Sequence, residues 1–205
     1  MKALILVDIQ NDFLPGGALA VPRGDEVIPV ANAVIPHFDL VVATQDWHPA
    51  EHKSFASQHP GRKVGEMIDL HGLPQVLWPD HCVQGRPGAE LAAGLHPAAR
   101  RRIFKKGVDP AIDSYSAFHD NGRRRSTGLG DFLRMQDVTD VYIMGLATDY
   151  CVKFTALDAR AEGFNTFVIE DGCRGVELQP GDVAKAIEEM KAAGVKIIRS
   201  DDVVR

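Results

Sequence analysis

The chain alternates between two kinds of hydrophobic spacing. Continuous apolar runs occupy Ala3–Val7, Leu40–Ala43, Arg102–Phe104, Val138–Met144, Thr166–Ile169 and Val195–Ile198. A strand covered on both faces reads this way, because neither face needs polar residues. Between these runs, the spacing predicts helices over Asp25–Val34, Gly88–Gly94, Leu129–Met135, Val152–Glu162 and Val183–Ala193. Phe154, Leu157, Asp158 and Ala161 recur at three- and four-residue intervals, and Gly163 supplies a stop. Pro180-Gly181-Asp182 forms a turn ahead of Val183, Ile187, Met190 and Ala193, and Gly194 ends that segment. Strands alternating with helices predict an α/β fold, with a mostly parallel sheet of about six strands covered on both faces.

From Thr44 to Arg100 the periodicity breaks, and Trp, His, Pro and Gly accumulate. That composition suits neither a plain crossover nor a linker, so the region at about 44–100 is expected to carry a site grafted onto the sheet. Open parallel sheets place ligands beyond the carboxyl ends of their strands. The polar residues that follow the apolar runs are Asp8, Asp46, Lys105 or Lys106, Thr148 to Cys151, and Asp171, all expected along one edge.

At 205 residues with 45% hydrophobic content, the chain is expected to form one domain over 1–205. The 23 basic and 28 acidic residues are interspersed, leaving no broad field for nucleic acid or anionic lipid. Arg123-Arg124-Arg125 reads as a solvated loop. Three widely spaced cysteines, 82, 151 and 173, suit free thiols in a reducing setting. The apolar run before Asp8 is far shorter than the roughly 20 residues of a membrane span, so a cytoplasmic protein is expected.

Cys151 falls between an apolar run and a helix, where a thiol would meet a helix N-terminus and exposed amide hydrogens. Free cysteines are also common core residues, so position alone leaves it equally a packed hydrophobe. An aspartate closing the first strand is costly to bury without a partner, and a buried lysine equally so. Asp8 would take the thiol proton while a lysine steadied both anions. Lys105 and Lys106 face opposite ways along a strand, and alternation does not choose between them.

Asp46 and His48 project to the same side of an extended segment. With His52 and His81 they offer oxygen and imidazole donors that suit zinc, iron or manganese. Asp80 and Cys82 are donors by type, with Asp80 read as solvent-facing and Cys82 as packed. Phe13, Trp47, Trp78 and Tyr115 lie on loops, where they either stack a flat ring or fill the core beneath.

Five motifs stand in order: "LVDIQNDFLPGG" at 6–17, "TQDWHPAEHKSF" at 44–55, "WPDHCVQG" at 78–85, "FKKGVDPAIDSYSAF" at 104–118 and "GLATDYCVKFTALDA" at 145–159. Together they resemble the nicotinamidase branch of the isochorismatase-like cysteine hydrolases over essentially the whole chain. The resemblance implies a three-layer α/β/α fold. It implies a catalytic triad of Asp8, Cys151 and Lys106, the lysine directly before Gly107. Asp46, His48 and His81 match the metal-binding set, with His52 aligned to a histidine that is a ligand in some relatives. The family pattern also implies a cis peptide between Leu146 and Ala147, and an oxyanion hole from the amides of Ala147 and Cys151. Phe13, Trp78, Tyr115, Leu146 and Ala147 would line the substrate pocket.

The activity implied is metal-dependent deamidation of nicotinamide, and of pyrazinamide, through a Cys151 thioester in NAD salvage. Its divalent ion would be zinc, with iron or manganese as alternatives, and the chain a monomer or small homo-oligomer. Isochorismatases share the Asp, Lys and Cys positions but lack the D-x-H and histidine set. Two other readings compete: a different amidase of the same superfamily, and a catalytically silent metal-binding interaction domain.

Overall fold

The computed structural model describes residues 1–204. In chain order its regular elements are β1 (Lys2–Val7), α1 (Val27–Val34), β2 (Leu40–Asp46), β3 (Met67–Leu70), β4 (Leu73–Val76) and β5 (Ile103–Lys106), then α2 (Leu129–Met135), β6 (Asp140–Leu146), α3 (Lys153–Ala161), β7 (Asn165–Arg174), α4 (Asp182–Ala192), β8 (Lys196–Ile198) and α5 (Asp201–Val204). The main sheet has the order β5-β2-β1-β6-β7-β8, and each adjacent pair is parallel. Helices α1 and α5 pack together on one face, and α3 and α4 on the other. Ala3 to Val7 are buried along the whole of β1, which explains why that run carries no polar alternation.

The chain leaves β1 toward β2 on one side and later returns as β6 on the other. Neighbouring crossovers therefore diverge at the carboxyl end of β1 and open a crevice there. Close contact between β1 and β6 requires Gly145, because a Cβ on it would lie 2.1 Å from the Val7 carbonyl oxygen. No described helix is long and apolar enough to cross a membrane.

Three segments differ from the sequence expectation. Gly88–Gly94 is not a helix: a 3-10 turn covers Pro87–Ala89, and Leu91 then pairs with Gln10 in an antiparallel bridge. Its buried Leu91 and Ala92 satisfy the core as a loop, and seven residues with glycine at both ends are too few to nucleate a helix without support. The second is an antiparallel hairpin, β3 with β4, inside the region expected to be irregular. Its turn residues His71 and Gly72 both have positive φ, as a two-residue hairpin requires. In α3 the buried residues are Thr155, Ala156 and Ala159, while Phe154 stands partly in solvent.

Candidate active site

Four strand ends supply the site. Asp46 and Lys106 are partners across the β2–β5 ladder, so register alone brings them side by side. Asp8 follows β1 with φ of 48°, and Cys151 follows β6 within a single π-helical turn, Thr148–Val152. The Leu146–Ala147 peptide that leads into this turn is cis.

Lys106 is buried and spends its three protons on Asp46 Oδ1 (2.5 Å), the Ser114 carbonyl oxygen (2.8 Å) and Cys151 Sγ (3.4 Å). Asp8 Oδ2 lies 2.9 Å from the same nitrogen, but out of line for a hydrogen bond, and is left without a hydrogen-bond partner. Asp8 Oδ1 accepts from Thr44 Oγ1 at 2.6 Å. A carboxylate oxygen of Asp8 and the Cys151 sulfur lie within 4.8 Å of each other, which puts this carboxylate beside the thiol as its candidate base.

The charges of this cluster are set by burial and by one another. Burial raises the Asp8 carboxyl to about 6 against the opposing pull of Lys106. Burial also opposes the ammonium of Lys106, but Asp46 and Asp8 override it and hold the lysine charged. For Cys151, burial pushes the thiol well above its usual range, more than Lys106 lowers it. The resting site near neutral pH is therefore an ammonium between two carboxylates, beside a neutral thiol.

Asp46 turns its second oxygen toward the imidazoles: Oδ2 is 3.6 Å from His48 Nε2 and 3.9 Å from His81 Nε2. Burial works against the ionised form of Asp46, but Lys106 holds it well below the usual carboxylate range. His48 Nδ1 donates to the Gly107 carbonyl oxygen at 2.9 Å, and His81 Nδ1 to that of Pro79 at 2.7 Å. Both bonds leave Nε2 as the lone-pair nitrogen facing Asp46. Gly107 is required here, since a Cβ on it would lie 2.3 Å from His48 Cε1.

These residues fit a divalent cation. Asp46, His48 and His81 bring one donor atom each within 4.8 Å of one another, and His48 Nε2 is buried without a partner. Two buried carboxylates against one ammonium also leave a net negative charge for an ion to offset. His81 and His52 are driven down to about 4, chiefly by burial, so both are neutral imidazoles.

His52 sits outside that set and clusters with His48 and Asp113. Its Nδ1 lies 2.7 Å from Ser54 Oγ and 3.2 Å from the Ser54 backbone nitrogen, and its Nε2 is buried without a partner.

A small cavity adjoins Cys151, walled by Phe13, Trp78, Tyr115 and Ala147. The Tyr115 hydroxyl accepts from Trp78 Nε1 and Gln75 Nε2, both at 3.2 Å. Gln75 also donates to Asp113 Oδ2 at 3.0 Å, so one amide ties the aromatic wall to a buried acid beside the histidines. Sequence reasoning missed Gln75, Asp113, Thr44 and Ser114. Asp113 lies within the motif at 104–118, but nothing local tied it to His48, 65 residues away.

Other candidates lie elsewhere. Lys105 is exposed over the Trp47 ring, 3.7 Å from its centroid, so Trp47 lies outside the pocket. Asp171 is no part of the site, because its carboxylate accepts from the Ser200 backbone N–H and hydroxyl. Asp80 is exposed, Cys82 is packed, and Arg123 to Arg125 are solvated.

The isochorismatase domain pattern matches residues 2–202. A nicotinamidase of Escherichia coli is 55% identical over 96% of this chain and 93% of its own. A solved Acinetobacter baumanii nicotinamidase and pyrazinamidase is 47% identical and superposes with a TM-score of 0.95, covering 98% of this chain and 97% of its own. Pyrazinamidase of Pyrococcus horikoshii, solved in complex with zinc, is 42% identical with a TM-score of 0.79, over 97% of this chain and 98% of its own.

Proposed function

We propose, for a chain that belongs to the isochorismatase family, that it is a nicotinamidase, a cysteine amidohydrolase that deaminates nicotinamide to nicotinate and ammonia in NAD salvage. One observation carries the mechanism: Asp8, Lys106 and Cys151 meet in one buried cluster, with Asp8 Oδ2 2.9 Å and Cys151 Sγ 3.4 Å from the same ammonium nitrogen.

In this reading Asp8 takes the Cys151 proton as sulfur bonds to the carboxamide carbon. The amides of Ala147 and Cys151 receive the developing oxyanion. Asp8 returns its proton to the amide nitrogen, the C–N bond breaks, and ammonia leaves a thioester. Water then attacks that carbon, Asp8 takes its proton, the S–C bond breaks, and Asp8 hands the proton back to sulfur. Lys106 stays charged throughout and steadies the thiolate and both carboxylates. Phe13, Trp78 and Tyr115 hold the flat ring so that its amide meets sulfur.

Asp46, His48 and His81 are the residues that would hold the divalent ion, which we assign as zinc, with iron and manganese as the alternatives. Such an ion supplies a positive anchor for the pyridine nitrogen. His52 stays outside the ligand set. The same reading covers pyrazinamide, a close isostere, and places the chain in the cytoplasm as a monomer or small homo-oligomer.

Mass spectrometry after mixing the protein with nicotinamide tests this. Nicotinate, ammonia and a transient acyl adduct on Cys151 are expected. Release of ammonia without Cys151 would exclude the covalent route.

A further inference from the structure

One aromatic ring at the cysteine turn has no part in the chemistry above. Tyr150 immediately precedes Cys151, and its half-buried ring stands edge-on to Trp78 at 4.9 Å and to Tyr115 at 5.4 Å. Two cavities meet at this ring. The inner one, beside Cys151, is small, about 30 Å³. An outer one of about 270 Å³ is bounded by Met67, Val76, Phe154, Lys153 and Glu189. Only Tyr115 and Tyr150, with the site already described on their inner side, line both. Tyr115 is pinned by the two hydrogen bonds to its hydroxyl, so Tyr150 is the wall whose removal joins the cavities.

The outer cavity has a surface for an apolar ligand. Met67 is 60% exposed and Phe154 38%, large apolar side chains that otherwise face water beside the reacting pocket. Covering them with a flat hydrocarbon ring removes apolar area from water on both partners.

We propose that the Tyr150 ring is a partition that restricts this enzyme to amides on a single six-membered ring, and that its removal admits fused bicyclic carboxamides whose second ring lies in the outer cavity. The proposal rests on the amidase reading above. Tyr150 acts by exclusion and does not touch the reacting bonds.

The test uses nicotinamide beside quinoline-3-carboxamide and isoquinoline-4-carboxamide, which extend the pyridine ring along two different edges. For the parent, Tyr150→Ala and Tyr150→Phe, kcat/KM is measured on all three amides. The ratio of bicyclic to monocyclic turnover is expected to rise about tenfold or more in the Ala variant for at least one bicycle, and to stay near the parent in the Phe variant. Should the Ala variant fail to fold, Tyr150→Leu carries the same comparison, since it keeps apolar bulk but no ring. Binding of the same amides, followed by calorimetry in a Cys151→Ala background with and without the Tyr150 change, reads the partition independently of turnover. An unchanged ratio together with unchanged relative affinities would overturn the proposal, as would a parent that accepts bicycles as readily as nicotinamide. A parent that leaves nicotinamide intact would sink the amidase reading instead, with the partition still decided by binding.

Discussion

Asp46 joins Lys106 to the histidines: its Oδ1 accepts from the ammonium at 2.5 Å while its Oδ2 faces His48 Nε2 at 3.6 Å. One carboxylate thus belongs to both halves of the site, the half that handles protons and the half that can hold an ion. Changes on the metal side should reach the lysine through it.

Asp46→Ala and His48→Ala are both expected to lower bound metal well below one equivalent, read by elemental mass spectrometry. His48→Ala should chiefly raise KM. Asp46→Ala should lower kcat as well, because it also releases Lys106. Identical kinetic profiles for the two variants would contradict the double role of Asp46.

Lys106→Met leaves Asp8 and Asp46 buried together without their shared cation. Breaking such a pair costs about 3–5 kcal/mol. Urea denaturation should show a loss of that order, accompanied by loss of turnover. A variant as stable as the parent would mean the two carboxylates do not depend on this lysine.

Cys151→Ala removes the nucleophile and little packing, since the side chain lies at the edge of the cavity. Turnover should vanish while nicotinamide affinity stays within a few-fold, measured by calorimetry. Residual ammonia release at the parent's rate would rule out sulfur as the attacking atom.

The Asp8 carboxyl, raised to about 6 by burial against Lys106, must be ionised to accept the thiol proton. The kcat/KM profile is expected to fall about tenfold per pH unit below that value. The effect on stability runs the other way. Asp8 binds its proton more tightly folded than unfolded, so its contribution is present below the ordinary value of 3.8 and is lost as pH rises through about 6. An acid limb that persists unchanged in Asp8→Asn would assign the titration to another group.

His52→Ala should retain most of the metal that His81→Ala loses, because His52 lies outside the cluster formed by Asp46, His48 and His81. Equal metal loss in both would make His52 a ligand.

Much of this architecture is written in local patterns. The run Ala3–Val7 announces a strand covered on both faces, and the spacing before Gly194 announces α4, because both depend on neighbours within one turn or pleat. The hairpin Met67–Val76 escaped because its strands are four residues each and contain Pro74. Cys151 and Asp8 were legible as chemistry by residue type and place at a strand end. Their partnership was carried by the family resemblance and by no local pattern, since 143 residues separate them and the β1–β6 ladder brings them together. Gln75, in β4, and Asp113, in a loop, were not read as site residues for the same reason, because their meaning comes from a contact across the fold.

The pairing of Asp46 with Lys106 across β2 and β5 has a consequence for how the chain tolerates length changes. Between 47 and 102 the exposed turns, such as 59–66, can absorb insertions and deletions, whereas the buried positions around His48 and His81 cannot. Within Ile103–Lys106 a slip of a single residue would exchange the twin ammoniums, sending Lys106 into water and Lys105 into the crevice at the wrong height. Substituting either lysine alters one charge; shifting their frame would misplace both at once.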